Sequence, residues 1–402
     1  MALTQNSKRM VALGLLTGAV VGSYGVWQAR KIAERPTTSG MIDWDRVRKV
    51  ATSMNQEAAL TGRQRARLDT EYRELVERTV PMVANYTGDT LPYPMDQIYA
   101  FDRVDWINAN IESFKVMFEP IERLNLTEND KVPNAIGAIW TGFNQTVLSA
   151  EMGFLLGYLA RRVLGQYDLA LLGREPLETT GKLYFVHPNI RNLERNLKLP
   201  SDQFRLWLAL HETTHAFEFE AHPWLREYMN GMLEEYFTFL SNDVEYLKRG
   251  FEAIRMFWDR ARDNSSEANS WIEMVMTPGQ RRLFNKMQAM MSVVEGYSNH
   301  VMNAVGRDLM PDFTTISNRF EQRQRNRTNA EQLFARLTGL DLKLEQYRLG
   351  EQFINEVVIA RGHDFARRVW DGPESLPTLD ELRRPEQWIM RMEQSPPAGT
   401  TI

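Results

Sequence analysis

Residues Leu206–Trp224 read LWLALHETTHAFEFEAHPW, and this stretch decides the fold. Phe204, Leu208, His211, His215 and Phe219 fall at i, i+4, i+7, i+11 and i+15, one continuous helical stripe. Within it His211, Glu212 and His215 spell H-E-x-x-H. Four residues apart on a helix, both imidazoles leave the same face. The stripe predicts that this face is buried, with the histidines in its middle and Glu212 on its shoulder. Zinc hydrolysis needs that division of labour: neutral imidazoles hold Zn²⁺, and a carboxylate takes a proton from the water that the metal activates. A chain with six histidines in 402 residues gives this pentapeptide by chance on the order of once in a hundred such chains. Its place on an apolar helix face favours a metal over a pair of hydrogen-bonded core histidines.

A catalytic zinc takes three protein ligands and keeps one position open. The candidates for the third are His222, Glu234 and Glu295. His222 stands one residue too far along for H-E-x-x-H-x-x-G-x-x-H, and Glu218 occupies the glycine position. Glu234 follows His215 at the spacing of one large aminopeptidase class. On its helix, however, it lies about 180° from the stripe Leu225, Met229, Met232, Tyr236 and Leu240, and should face solvent. Glu295 borders a broad apolar face marked by Met291 and Met302, where a carboxylate is costly unless paired. Gly296 beside it would let a second backbone approach.

Composition sets outer limits. Hydrophobic content of 43% and charged content of 25% are those of a globular protein. A net charge of −4 gives no electrostatic case for nucleic acid. The chain has no cysteine, which excludes disulfides and thiolate chemistry and leaves a transition metal only His and carboxylate ligands. Met10–Trp27 is uncharged, flanked by Lys8-Arg9 and Arg30-Lys31, with Gly14, Gly18 and Gly22 at small-xxx-small spacing. As a helix of roughly 27 Å it would just span a bilayer core, so residues 10–27 are predicted to associate with a membrane, on a side that the flanking charges leave undecided. Without such an anchor the chain would be cytoplasmic.

The organisation predicted is an apolar helix and linker over 1–40, one catalytic body over 41–392 and a disordered tail over 393–402. From Asp43 to about Leu164 the pattern is helical, broken by turns at 88–89, 92–94 and 129–133. Ile136–Leu164 reads as a buried helix, and Gly153 and Gly157 would let another helix lie close. Lys182–Val186 (KLYFV) is the clearest strand, and such a strand beside a cleft can pair with an extended substrate. Pro223–Leu240, Gln280–Val305 and Leu340–Trp370 read as helices. Asp263–Glu267 reads as a polar turn, and the basic run Arg319–Arg327 as a solvated loop.

HETTHAFEF with Pro223-Trp224-Leu225-Arg226, and VVEGYSNHVMN from Val293, resemble a bacterial family of zincin-like metallopeptidases. LGQYD at 164–168, YFVHPN at 184–189, QYRLG at 346–350 and RVWDGPESLPT at 368–378 also resemble it, so the likeness spans most of residues 43–392. Many members carry a label of association with deazaflavin coenzyme biosynthesis. The resemblance implies a mainly α fold with an H-E-x-x-H helix, a second ligand helix and a minor β element. It implies His211, His215 and Glu295 as zinc ligands and Glu212 as general base, acting on a peptide or protein substrate. Tyr297 or His300 would stabilise the oxyanion, and Asn299 would orient a ligand histidine. The alternative is a non-catalytic helical scaffold tethered at a membrane, with a structural or vestigial metal site.

Overall fold

The computed structural model describes residues 42–57, 59–122, 134–168, 181–242, 277–325 and 340–395. The apolar segment 10–27, the turn at 263–267 and the end of the tail lie outside them. The architecture is mainly α with one small sheet, as the sequence predicts. Two compact units emerge, one from residues up to 58 with 107–162, the other from 59–106 with 163 onward.

In the first unit, helix α1 (Trp44–Ser53) starts at Asp43, whose carboxylate accepts the Arg46 backbone N–H. α3 (Arg103–Glu122) enters this unit at Ile107, and α4 spans Asn134–Ala160. The helix that exploits Gly153 and Gly157 is α1. A Cβ on Gly153 would lie 2.7 Å from the Val50 Cβ, and one on Gly157 3.0 Å from the Ala51 Cα. Among the described residues no helix is long and apolar enough to cross a membrane.

The second unit opens with α2 (Gly62–Thr87), started by a Thr61–Gln64 capping box. Its sheet has the order β1-β3-β2, from β1 (Ile98–Phe101), β2 (Gly165–Asp168) and β3 (Lys182–Val186). β1 runs parallel to β3 with Ile98 opposite Leu183, and β2 antiparallel with Gly165 opposite Phe185. Two expectations change here. The predicted helical run from 43 to 164 is broken by β1, whose period-2 burial covers only four residues and is swamped by the helical pattern around it. KLYFV is a strand, but it is central: partners occupy both edges, so it has no free edge to offer a substrate. Its near-continuous burial is that of an inner strand.

After β3 come α5 (His187–Leu197), α6 (Ser201–Ala221), α7 (Pro223–Asn242), α8 (Pro278–Leu309), α9 (Phe313–Arg325) and α10 (Leu340–Arg361). Short elements close the unit: α11 (His363–Ala366), 3-10 turns at Arg367–Trp370 and Pro373–Ser375, α12 (Leu379–Arg383) and α13 (Pro385–Gln394). The basic run is not a loop over its described part, because Arg319–Arg325 completes α9. Phe313 and Ile316 are buried, Phe320 packs on Trp207 with ring centroids 5.0 Å apart, and Arg319 donates to the Leu197 and Lys198 carbonyls at the end of α5.

The crossing of α8 and α10 is backbone against backbone. A Cβ on Gly296 would meet the Gly350 carbonyl carbon at 2.2 Å, and one on Gly350 would meet the Ser292 carbonyl oxygen at 1.8 Å. Only glycine fits at both positions. This contact fixes α8 in register one residue from Glu295.

Candidate functional site

Helix α6 is enclosed around most of its circumference and buries polar residues (Glu212, Thr213, Thr214, Glu218 and Glu220) as well as apolar ones. From Leu206 to Glu220 every residue is buried except His211 and His215. The predicted stripe is buried at Phe204, Leu208 and Phe219 and opens only at the two half-buried histidines, and the other faces are buried as well, because α6 is packed from several sides at once. The aromatic ring of Trp207 lies 6.1 Å from that of His211 and near parallel to it.

The predicted ligands come together. One ligand atom from each of His211, His215 and Glu295 lies within 4.8 Å of the other two. The two Nε2 atoms are 3.2 Å apart, and His215 Nε2 is 3.9 Å from Glu295 Oε2. Each imidazole is oriented from behind. His215 Nδ1 lies 2.8 Å from Glu218 Oε2, and His211 Nδ1 lies 3.3 Å from Ser298 Oγ and 3.1 Å from Met302 Sδ. With its Nδ1 so occupied, each ring turns its Nε2 toward its neighbour. Ser298 and Met302 stand three and seven residues after Glu295, so α8 presents all three on one face.

Burial, reinforced by the His215 charge, holds His211 well below its ordinary pKa, so it is neutral. Burial pulls His215 down too, but the hydrogen bond and charge of Glu218, with Glu295 and Glu212, push it up to about 9. Burial raises Glu218 to about 7 against the pull of His215, and its Oε1 is buried without a partner. Glu212 is 5% exposed. Burial raises its carboxyl to about 7; the His215 charge pulls it down, Glu295 pushes it up, and a hydrogen bond from the Tyr167 backbone N–H pulls it down.

The other candidates stand apart from the cluster. His222 stacks on Trp370 with centroids 5.3 Å apart and lies 3.6 Å from Asp89. Glu234 is exposed on α7. His300 has both ring nitrogens engaged, at 2.7 Å from Tyr86 Oη and 2.7 Å from Asn355 Oδ1. The Tyr297 hydroxyl contacts His363 Nε2 at 3.5 Å. Ser298, and not Asn299, touches a ligand histidine. Sequence reasoning passed over Glu218 as a ligand orienter, although its i+3 spacing from His215 places it on the same face.

Two imidazole nitrogens and a carboxylate form the donor set of a catalytic zinc. With no metal bound, the protonated His215 shares its Nε2 proton with the neutral His211 Nε2 at 3.2 Å, and a cation would take that proton's place between the two nitrogens. The sequence profile described as zincin-like metallopeptidase matches residues 42–389, and the chain belongs to that family. A crystal structure from Chloroflexus aurantiacus, described as “a putative hydrolase with a novel fold”, is 42% identical. The match covers 88% of this chain and 100% of that one, with a TM-score of 0.64. No curated protein matches the chain.

Proposed function

We propose that this member of the zincin-like metallopeptidases hydrolyses peptide bonds with zinc held by His211, His215 and Glu295, and with Glu212 as general base. The convergence of those three ligand atoms within 4.8 Å, beside a buried glutamate, carries the reading. Zinc bound there would supply Lewis acidity, activating water and polarising a carbonyl. The chain's own residues do the rest. Glu212 accepts a proton at its carboxylate and returns it to the leaving amine. A carboxyl raised to about 7 by burial is suited to both transfers near neutral pH. Glu218 accepts the His215 Nδ1 hydrogen bond and keeps Nε2 free for the metal. Ser298 and Met302 do the same for His211.

The test uses the full chain with zinc and a library of quenched fluorescent peptides. Hydrolysis is expected, and Glu212→Gln should keep about one equivalent of zinc while losing roughly 10²–10⁴ of the rate. Near-normal turnover by that variant would remove the mechanism.

A further inference from the structure

We propose that strand β2 is the device that positions Glu212, with Gly165 and Tyr167 as positioning residues for its carboxylate. The proposal rests on the reading of Glu212 as general base.

β2 lies at the edge of the sheet. The Val186 N–H donates to the Leu164 carbonyl at 2.8 Å, so even-numbered positions of β2 turn their backbone polar groups toward β3. By the alternation of an antiparallel ladder, those of Gly165 and Tyr167 turn the other way. The Tyr167 N–H is the one that meets the Glu212 carboxylate. Gly165 lies flat along the same side chain. A Cβ there would stand 2.4 Å from Glu212 Oε1, 2.7 Å from Cδ and 2.9 Å from Cγ, closer than real contacts allow along three successive atoms. The glycine surface therefore forms one wall of the slot that holds the base.

The strand is in turn tied to the helix that carries the base. The Tyr167 hydroxyl donates to Glu220, which also accepts the Gly181 backbone N–H at 3.0 Å and Arg226 Nη2 at 3.0 Å. Tyr167 and Glu220 are both buried, and the Tyr167 ring stacks on Phe219 at 6.1 Å. Two carboxylates from one helix, Glu212 and Glu220, thus hold Tyr167 by its backbone and by its phenol. A shift of the strand moves the donor and the wall together, and with them the carboxylate. None of these residues touches His211, His215 or Glu295 in the contacts described, so the device sets the base without setting the metal ligands.

The experiment compares Gly165→Ala and Tyr167→Phe in the zinc-loaded full chain, each in the wild-type and Glu212→Gln backgrounds. Zinc affinity, read by chelator competition, should stay within about twofold, because the ligands keep their partners. On a peptide that the wild type cleaves, Gly165→Ala should lower kcat by at least about tenfold with little change in KM, as displacement of a catalytic group does. Tyr167→Phe should lower it less, since the backbone donor remains. In the Glu212→Gln background neither change should cost further rate. Equal losses in both backgrounds, or an unchanged kcat, would overturn the proposal. A wild type that cleaves no peptide speaks against the peptidase reading, and the slot is then judged by stability alone. Gly165→Ala should lower the unfolding midpoint of the wild type but not of Glu212→Ala, and equal shifts in both would overturn the proposal without any substrate.

Discussion

Removing Glu218 should change how tightly zinc binds and how that affinity depends on pH. Glu218 is 2% exposed, and its Oε2 lies 2.8 Å from His215 Nδ1. It acts in two opposed ways. As a hydrogen-bonded anion behind a ligand it orients the ring and raises its basicity, and loss of such a partner typically costs about 10–100-fold in metal affinity, roughly 1.4–2.7 kcal/mol. In the metal-free protein, however, it helps to hold a proton on His215 up to about pH 9, and zinc must displace that proton. At pH 7 the gap of about two pH units is worth on the order of 3 kcal/mol against binding. The two effects are similar in size at pH 7, and only the first survives above pH 9. Wild-type zinc affinity should therefore climb close to tenfold per pH unit between 7 and 9. Glu218→Ala should flatten that slope, matching the wild type within a few-fold at pH 7 and falling about 10–100-fold below it at pH 9.5. Glu218→Gln, which can still accept the Nδ1 hydrogen bond, should fall between. Competition with a chromophoric chelator across this range measures both quantities. An unchanged slope, or affinity within threefold of wild type at pH 9.5, would refute the reasoning.

Other outcomes follow from the same geometry. Glu295→Ala should weaken zinc binding severely, while Glu234→Ala, on an exposed side of α7, should leave zinc binding and activity nearly unchanged; the reverse ranking in a metal titration would transfer the third-ligand role. Gly350→Ala drives a methyl into the Ser292 carbonyl, so it should destabilise the fold by about 1–3 kcal/mol and weaken zinc binding through the displaced α8. Denaturant melts and zinc titrations check both, and a wild-type result in each would mean that the helices part without consequence. Burial first, then the Arg205 charge, lowers His187 to about 4, and its Nδ1 accepts the Tyr72 hydroxyl at 3.0 Å. The unfolded chain binds this proton from about pH 6.5, so the neutral histidine contributes stability above that pH, and the contribution falls away as the pH drops toward 4. His187→Gln should flatten the wild-type loss over that window by up to about 3 kcal/mol, and an identical pH slope in the two proteins would count against it.

The site was legible where helical periodicity governs it. H-E-x-x-H fixes two imidazoles on one face, and the solvent-facing position of Glu234 follows from counting residues around α7. Gly296 was legible as a close approach because a glycine beside a carboxylate on the border of an apolar face has few other uses. The packing around these helices was not legible. A stripe reading assumes one buried face, but α6 is enclosed on nearly all sides, and only the two histidines of the stripe are left half-buried. β1 and β2 span four residues each, too few for a period to emerge, and the edge strand beside Glu212 was therefore missed in favour of the more apolar β3. Glu218 was judged only against a glycine in a neighbouring motif, when its i+3 relation to His215 already placed it behind a ligand.

Segments far apart in the chain brace the same pair of helices. LGQYD supplies Gly165 and Tyr167 against Glu212 on α6. QYRLG supplies Gly350, whose backbone lies against α8 beside Glu295. RVWDGPESLPT supplies Trp370, which stacks on His222 past the end of α6, accepts the Trp224 indole N–H at the start of α7, and meets the Tyr297 ring of α8 edge-on at 5.2 Å. A zinc site with two ligands on one helix and a third on another needs those helices held to within a fraction of an ångström. The polar contacts described between α6 and α8 are those of Ser298 and Met302 with His211 and the 3.9 Å approach of Glu295 to His215, all of them at the site itself. Gly350 of α10 and the Trp370 turn brace α8 beside Glu295 from outside, while the strand bears on Glu212. Three of the distant stretches in the family likeness, LGQYD, QYRLG and RVWDGPESLPT, thus supply a wall or a wedge for the helices that carry the proposed site.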